Sequence, residues 1–301
     1  IGQLQSLRLL LNVIGEASRS FNMAEGGVEQ DRHYIFGQQI SVEEDLAHEF
    51  KGHRSISILD IPNLCLHSST GSDRTRNSVS TSICGMLNSG LGGTVYLGVT
   101  DNGIVRGISL TRYQKDHIEA SVKWTLDKFT PPVPENRYCV TFVPVSSSKT
   151  HSIQNFKEQP IDSKRREQPH HVGHPNYCWC DLDASALHSL GKMSMIYVIE
   201  IHIRPWDPHL MKELRNPLYS DAPPLPPLFL NEACGCFVRQ TCRQPRLCLE
   251  DVRSLLVHRI QEHCYLKLSR LHEQYELLQQ MAINHGLSSD ISHQKEGKNV
   301  Y

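Results

Sequence analysis

The chain has 301 residues, 39% of them hydrophobic and 21% charged, with 31 Lys+Arg against 32 Asp+Glu and a net charge of −1. That length can bury a real core in one large domain or two small ones, and the near-zero charge excludes a chain whose overall field alone would gather nucleic acid, though a local basic face can coexist with it. Ten Cys spread from Cys65 to Cys264 form no dense secreted-type framework and read as reduced thiols of an intracellular protein, cytoplasmic rather than nuclear. No apolar run reaches about 18 residues, so no membrane span is expected. The chain begins at Ile1 and not at Met, so it reads as a fragment, and an N-terminal targeting signal stays open.

Residues 4–14 carry Leu7, Leu10, Leu11 and Ile14 on one helical face, and a polar linker follows to residue 36. A short strand is expected within 33–40. Ser41 and Glu44 have the spacing of a capping box, which predicts a short helix or turn over 44–46. His48-Glu49-Phe50-Lys51 reads as extended, with Glu49 and Lys51 on one face and Phe50 on the other. Residues 52–76 read as an irregular insertion.

Val79, Ile83, Met86 and Leu87 recur at helical spacing and predict a core helix over 76–88, ended by the glycines after Ser89. Thr94 to Val99 is apolar and β-branched, a strand buried on both faces, followed by a hairpin turn at Asp101-Asn102-Gly103 and a returning strand over 104–108. Ile118, Val122, Leu126 and Phe129 mark a second helix over 114–130, stopped by a proline run. Strands are expected over 138–145 and 193–203, paired as a hairpin with an overgrown polar loop over 146–192. A proline-rich excursion over 205–227 and a short strand over 236–240 complete a domain spanning 37–248. A helix over 249–283 repeats Val257, Cys264, Leu271 and Leu278 every seven residues, with Gln261, Leu268, Tyr275 and Ala282 four later. That is a coiled-coil-like register, which either joins a partner chain or packs back on its own domain. Residues 284–301 read as a polar tail.

Three carboxylates on separate elements, Glu44, Glu49 and Asp101, are the candidate metal ligands. Mg²⁺ or Mn²⁺ takes hard oxygen donors from carboxylates, water and substrate phosphate, and such an ion activates water for phosphodiester cleavage. Lys51 would hold the scissile phosphate. The glycines after residue 89 follow a helix and precede a strand, the reverse of a phosphate-binding loop, so ATP binding is disfavoured. Lys51, Arg54, Arg74, Arg76, Lys123 and Lys128 could form a phosphate-tracking face, or lie on a solvated surface.

The run Glu44-x4-Glu49-Phe50-Lys51, and then Met86-Leu87-Asn88-Ser89-x-x-Gly92-Gly93-Thr94-Val95-Tyr96-Leu97-Gly98-Val99-Thr100-Asp101-Asn102-Gly103, resembles the AlbA-like domain of the Schlafen family. The resemblance implies an α/β fold, a mixed sheet with flanking helices, here joined to the C-terminal coiled-coil-like helix. It also implies a divalent-metal-dependent endoribonuclease acting on tRNA-like or other structured RNA, with Glu44, Glu49 and Asp101 catalytic and metal-bound and Lys51 matching the motif lysine. A non-catalytic nucleic-acid-binding or assembly module is the alternative, and ATP binding a further one.

The chain carries one such lobe where nuclease Schlafens clasp RNA with two, so a homo- or hetero-oligomer through the C-terminal helix is expected. The family's zinc ligands are unmatched, since the corresponding stretches, 131–135 and 204–207, hold neither His nor Cys. Cys178-Trp179-Cys180 near His170, His171 and His174, and Cys234-Gly235-Cys236 near Cys242 and Cys248, have tighter spacing than common zinc ribbons. They read as buried thiols and loop histidines.

Overall fold

The structure is a computed structural model that describes residues 32–62, 65, 76–146, 162–173, 178–192, 195–207, 225–241 and 244–284. The helix expected over 4–14, the polar tail, Arg74, His174 and Cys242 lie outside the described residues. The chain divides into two compact units. One comprises Ile1–Trp206 with Pro226–Leu247, the other Asp207–Leu225 with Cys248–Tyr301.

The first unit is built on a mixed sheet. Its described elements are β1 (Tyr34–Ile35), β2 (His48–Lys51), α1 (Val79–Ser89), β3 (Gly93–Leu97), β4 (Ile108–Leu110), α2 (Arg112–Asp127), β5 (Tyr138–Ser146), α3 (Ser163–Arg166), α4 (Trp179–Ser189) and β6 (Met195–Ile203). The strand order is β1-β5-β6-β3-β2, and β4 also pairs with β6. β6 is the hub, antiparallel to β3, β4 and β5, while β2–β3 and β1–β5 are parallel.

β6 serves both faces because side chains alternate along a strand. Tyr197, Ile199, Ile201 and Ile203 join Val95 and Leu97 of β3 in the main core. Val198 faces a smaller core on the other side with Ile40, Phe50, Tyr96, Val99 and Val105. Ile83, Met86 and Leu87 of α1 and Ile118, Val122 and Leu126 of α2 cover the main face. α1 is buried from Val79 to Asn88, which explains its small and apolar composition. It ends where Gly90 turns left-handed and its N–H meets the Leu87 carbonyl. α2 opens on a capping box between Thr111 and Gln114.

Several expectations change. The strand expected within 33–40 is two residues long. No helix forms over 44–46; Glu44 does not cap it, and instead the Asp45 carboxylate accepts from the N–H groups of Ala47 (2.7 Å) and His48 (2.8 Å). The return from the Asp101 turn meets its partner through one isolated pair, Val99 with Val105, before β4 diverges to β6. The 236–240 stretch forms isolated bridges in place of a strand, among them Phe237 with Arg246. The 52–76 insertion is anchored where it is described: Ile56 and Ile61 are buried, and Glu232 Oε1 accepts from Ser57 Oγ (3.1 Å), Ile58 N (2.9 Å) and Ser80 Oγ (2.8 Å). The 146–192 loop holds α3 and α4.

The second unit contains α5 (Leu249–Asn284), 36 residues and about 54 Å long. Val257, Leu268, Leu271, Tyr275 and Leu278 of its heptad rows are exposed. His258–Glu262 and His272–Glu276 pairs one turn apart lie along its surface. Among the described residues, no helix is long and apolar enough to cross a membrane.

The passage from α1 to β3 is the tightest point of the sheet. Gly92 has φ +69°, and a Cβ there would stand 2.3 Å from the Ile203 carbonyl oxygen. Gly92→Ala therefore combines left-handed strain with a backbone clash and is expected to cost at least about 2 kcal/mol, read as a lower urea midpoint. An unchanged midpoint would mean that the turn relaxes around the methyl group.

Candidate functional site

Parallel pairing with β3 fixes the face on which each β2 side chain stands. Glu49 lies opposite Val95 and Phe50 opposite Tyr96. Glu49 and Lys51 accordingly share the α1 side of the sheet, and the Lys51 Nζ donates to Glu49 Oε1 at 2.5 Å. Ser82 of α1 adds a longer bond to the same oxygen, 3.3 Å. The other oxygen, Oε2, receives the Arg239 guanidinium. Arg239 also donates through Nε and Nη2 to the Asp45 carbonyl (2.9 and 2.6 Å) and through Nη2 to the His48 carbonyl (2.7 Å). Glu49 and Arg239 are 7% and 4% exposed, so this is a buried ion pair.

Burial pushes the Glu49 carboxyl up, but Lys51 and Arg239 outweigh it and hold the group below its ordinary value. Glu44 moves the other way. Burial raises it, the neighbouring Glu49 charge raises it further, and the Phe50 N–H, which donates to Glu44 Oε1 at 2.8 Å, opposes the shift. His53 is lowered to about 4, by burial first and then by the Arg76 and Lys51 charges. Lys51 and Arg76 thus bring cationic groups to the corner at the end of β2, while His53 stands neutral beside them.

Asp101 is exposed at the turn beyond β3, which closes through Gly103 N to the Thr100 carbonyl (2.7 Å). The three carboxylates do not converge as a ligand group. Among the described residues, the set whose donor atoms do so is His117, His170, Cys178 and Cys180, all within 4.8 Å of one another. Each Glu49 oxygen already faces a cation, Lys51 or Arg239, so a Mg²⁺ or Mn²⁺ ion there would meet two positive charges of the chain itself. The expected basic face also divides. Arg54 pairs with Asp181 (2.5 Å), Lys123 with Glu135, and Lys128 sits over the Trp124 ring at 4.1 Å.

A guanidinium links the neighbourhood of the 131–135 stretch to the 204–207 stretch. Arg137, 2% exposed, donates from Nη2 to the Arg204 carbonyl (3.0 Å), and the Arg204 N–H returns to the Arg137 carbonyl (2.9 Å). Burial alone lowers Arg137 to about 10.

Residues 66–205 match the family model described as Schlafen, AlbA_2. This stretch is a Schlafen AlbA_2 domain. The match covers α1 through β6 and includes Asp101; Glu44, Glu49 and Lys51 stand before it. The mixed sheet with flanking helices is the expected fold, and a Schlafen-type domain is nucleic-acid related.

Two groups escape sequence reasoning, Arg239 and His117. Each acts through a partner far along the chain, as Arg239 and Glu49 do across 190 positions, and no local spacing marks them. The corner at the end of β2 depends on the Glu49 pair. Glu49→Gln leaves Arg239 buried without its counter-charge and is expected to cost about 3–5 kcal/mol at neutral pH. A depressed carboxyl stabilises above its unfolded pKa, near 4.5, and loses that contribution as pH falls through the folded value. The variant should lose stability at pH 7 and show a flatter decline below pH 4.5 than the wild type. Urea unfolding across pH measures both, and parallel pH profiles would remove Glu49 from that role.

Proposed function

We propose that this chain is an RNA-directed protein, acting on tRNA-like or other structured RNA, in which the Lys51 corner meets phosphate and Glu49 braces that corner. The observation that supports the reading is the double pairing of Glu49. Lys51 and Arg239 engage both of its oxygens, so the carboxylate neutralises and orients cations of its own chain. Lys51 and Arg76 supply the local positive charge that a phosphate backbone seeks, beside a His53 held neutral by burial and by those two charges.

A second reading is a Mg²⁺- or Mn²⁺-dependent endoribonuclease, with Glu44, Glu49 and Asp101 as ligands and Lys51 on the scissile phosphate. Two observations favour it: Glu44 lies close enough to feel the Glu49 charge, and Asp101 is free in solvent at a neighbouring turn. That chemistry requires Glu49 to release Arg239. One experiment separates the two. Purified protein is mixed with tRNA, with and without Mn²⁺, beside Lys51→Ala and Asp101→Asn. A mobility shift that falls steeply with salt is expected, with intact RNA, unchanged binding by Asp101→Asn, and a salt slope reduced by about one contact in Lys51→Ala. Manganese-dependent cutting that Asp101→Asn abolishes would replace the first reading with the second. No shift at low salt would sink both.

One such domain followed by a heptad-bearing helix resembles Schlafen-like protein 1 in arrangement. The exposed rows of α5 suit self-association, which would bring two lobes to one RNA. Light scattering of the full chain should give a mass above the monomer, and Leu271→Glu with Leu278→Glu should return it to the monomer. A wild-type chain that is monomeric at high concentration would exclude this assembly.

A further inference from the structure

The segment between β5 and β6 is an unusual attachment. α3 has no buried residue, and α4 buries only Cys180 among its described residues. Leu182 and Leu190 face solvent at 59% and 70% exposure. An apolar contact of that size does not hold two helical pieces against a domain. Something else fastens the start of α4 to α2.

At the junction, four side chains with nitrogen or sulfur donors meet. His117 comes from α2 and His170 from the loop after α3. Cys178 is the N-cap of α4 and Cys180 lies in its first turn. Their donor atoms lie within 4.8 Å of one another. Cys178 Sγ and His170 Nδ1 are 3.5 Å apart. Two ligands of a tetrahedral zinc, with Zn–S near 2.3 Å and Zn–N near 2.0–2.1 Å, stand about 3.6 Å from each other, so this edge already has the right length. The widest separation needs to contract by only about 1 Å toward the same geometry.

Three independent features point to an ion. The His117 Nδ1 atom is buried and has no hydrogen-bond partner among the described residues. Cys178 and Cys180 are 3% and 0% exposed, and both are free thiols, not a disulfide. The His171 backbone N–H donates to Cys178 Sγ at 3.4 Å, a contact that favours a thiolate. The surrounding groups orient the ligands. His170 stacks on Trp179 with centroids 5.1 Å apart and planes at 14°, and Trp179 Nε1 donates to the Pro169 carbonyl at 3.3 Å. Asp181, next to Cys180, receives Arg54 Nη2 (2.5 Å) and Gln114 Nε2 (2.7 Å), which fixes the start of α4 against α2.

We propose that His117, His170, Cys178 and Cys180 bind a structural zinc ion that clamps the segment between β5 and β6 to α2. Two thiolates and two imidazoles select zinc over Mg²⁺ or Ca²⁺, and four protein ligands close the coordination sphere, as in a structural site. The site shares no residue with the Glu44–Glu49 corner or with the 131–135 and 204–207 stretches, the second of which receives Arg137 at the Arg204 carbonyl.

The test uses the full chain, expressed with added zinc and dialysed. Elemental analysis should give about one zinc per chain, and replacement with Co²⁺ should give the intense visible bands of a tetrahedral thiolate site. Cys178→Ser with Cys180→Ser should lose the metal, and Cys139→Ser, on β5, should keep it. His170→Ala, at a half-buried loop position, should weaken zinc in chelator competition by more than the about 10–100-fold that loss of an outer-shell partner costs. Both cobalt spectrum and zinc content are read on the wild type, so a double variant that fails to fold does not remove the test. Wild-type protein without zinc and without cobalt bands overturns the proposal. So does a folded double variant that keeps its zinc.

Discussion

Arg239 reaches Glu49, the Asp45 carbonyl and the His48 carbonyl from a position 4% exposed to solvent. Among the described residues β2 is the last strand of the sheet, and one of its edges has no strand partner there. The guanidinium supplies part of what a strand would give, because its planar fork offers several donors in fixed directions. Its own backbone is held too: the Arg239 N–H donates to the Gly85 carbonyl at 3.2 Å, at a helix position where a side chain would crowd it. Through this one residue the segment after Pro226, α1 and β2 share a single geometry. The cost is that a carboxylate in a metal-ligand pattern is committed to a cation of its own chain. Replacing such a pair with apolar residues can leave stability unchanged, whereas removing one partner does not, so the pair specifies an arrangement more than it adds stability.

What the sequence reveals follows from the range of the forces involved. α1, β3, α2 and the β5–β6 hairpin bury apolar stripes of helical or strand period, and those periods are local. The placement of Glu49 and Lys51 on one face, and of Asp101 on a turn, follows from the same alternation. β1 and β4, of two and three residues, are too short to carry a period. α4 stays hidden in a polar stretch because its single buried residue leaves no stripe to find. The Thr111–Gln114 capping box is local and readable, and shifts the start of α2 ahead of its first apolar residue. The convergence of side chains is not readable in this way. His117 sits in an amphipathic helix like any polar residue, and only the fold brings Cys178 and His170 to it.

The unit has several segments with little apolar surface, and each is held by directional polar contacts. Glu232 ties the Ser57 turn, Arg137 ties the end of β6 to the start of β5, and Arg239 ties the turn before β2. Such contacts contribute little free energy where they are exposed, but they fix position wherever burial leaves no alternative partner. Core packing explains why the sheet is stable. These contacts explain why the chain around it has one arrangement.

Arg54 joins two of these regions. It follows Lys51 and His53 out of β2, and its Nη2 ends on Asp181, one residue beyond Cys180. Arg54 and Asp181 are about one-third exposed, so the pair adds little stability by itself. Its consequence is positional. Asp181 is already directed by Gln114 of α2, so wherever the first turn of α4 goes, Arg54 follows. If the His117–Cys180 group holds α4 in place, it also sets how much positive charge stands beside Lys51. A segment whose described helices bury only Cys180 would then bear, through Arg54, on the charge of the corner proposed to meet RNA.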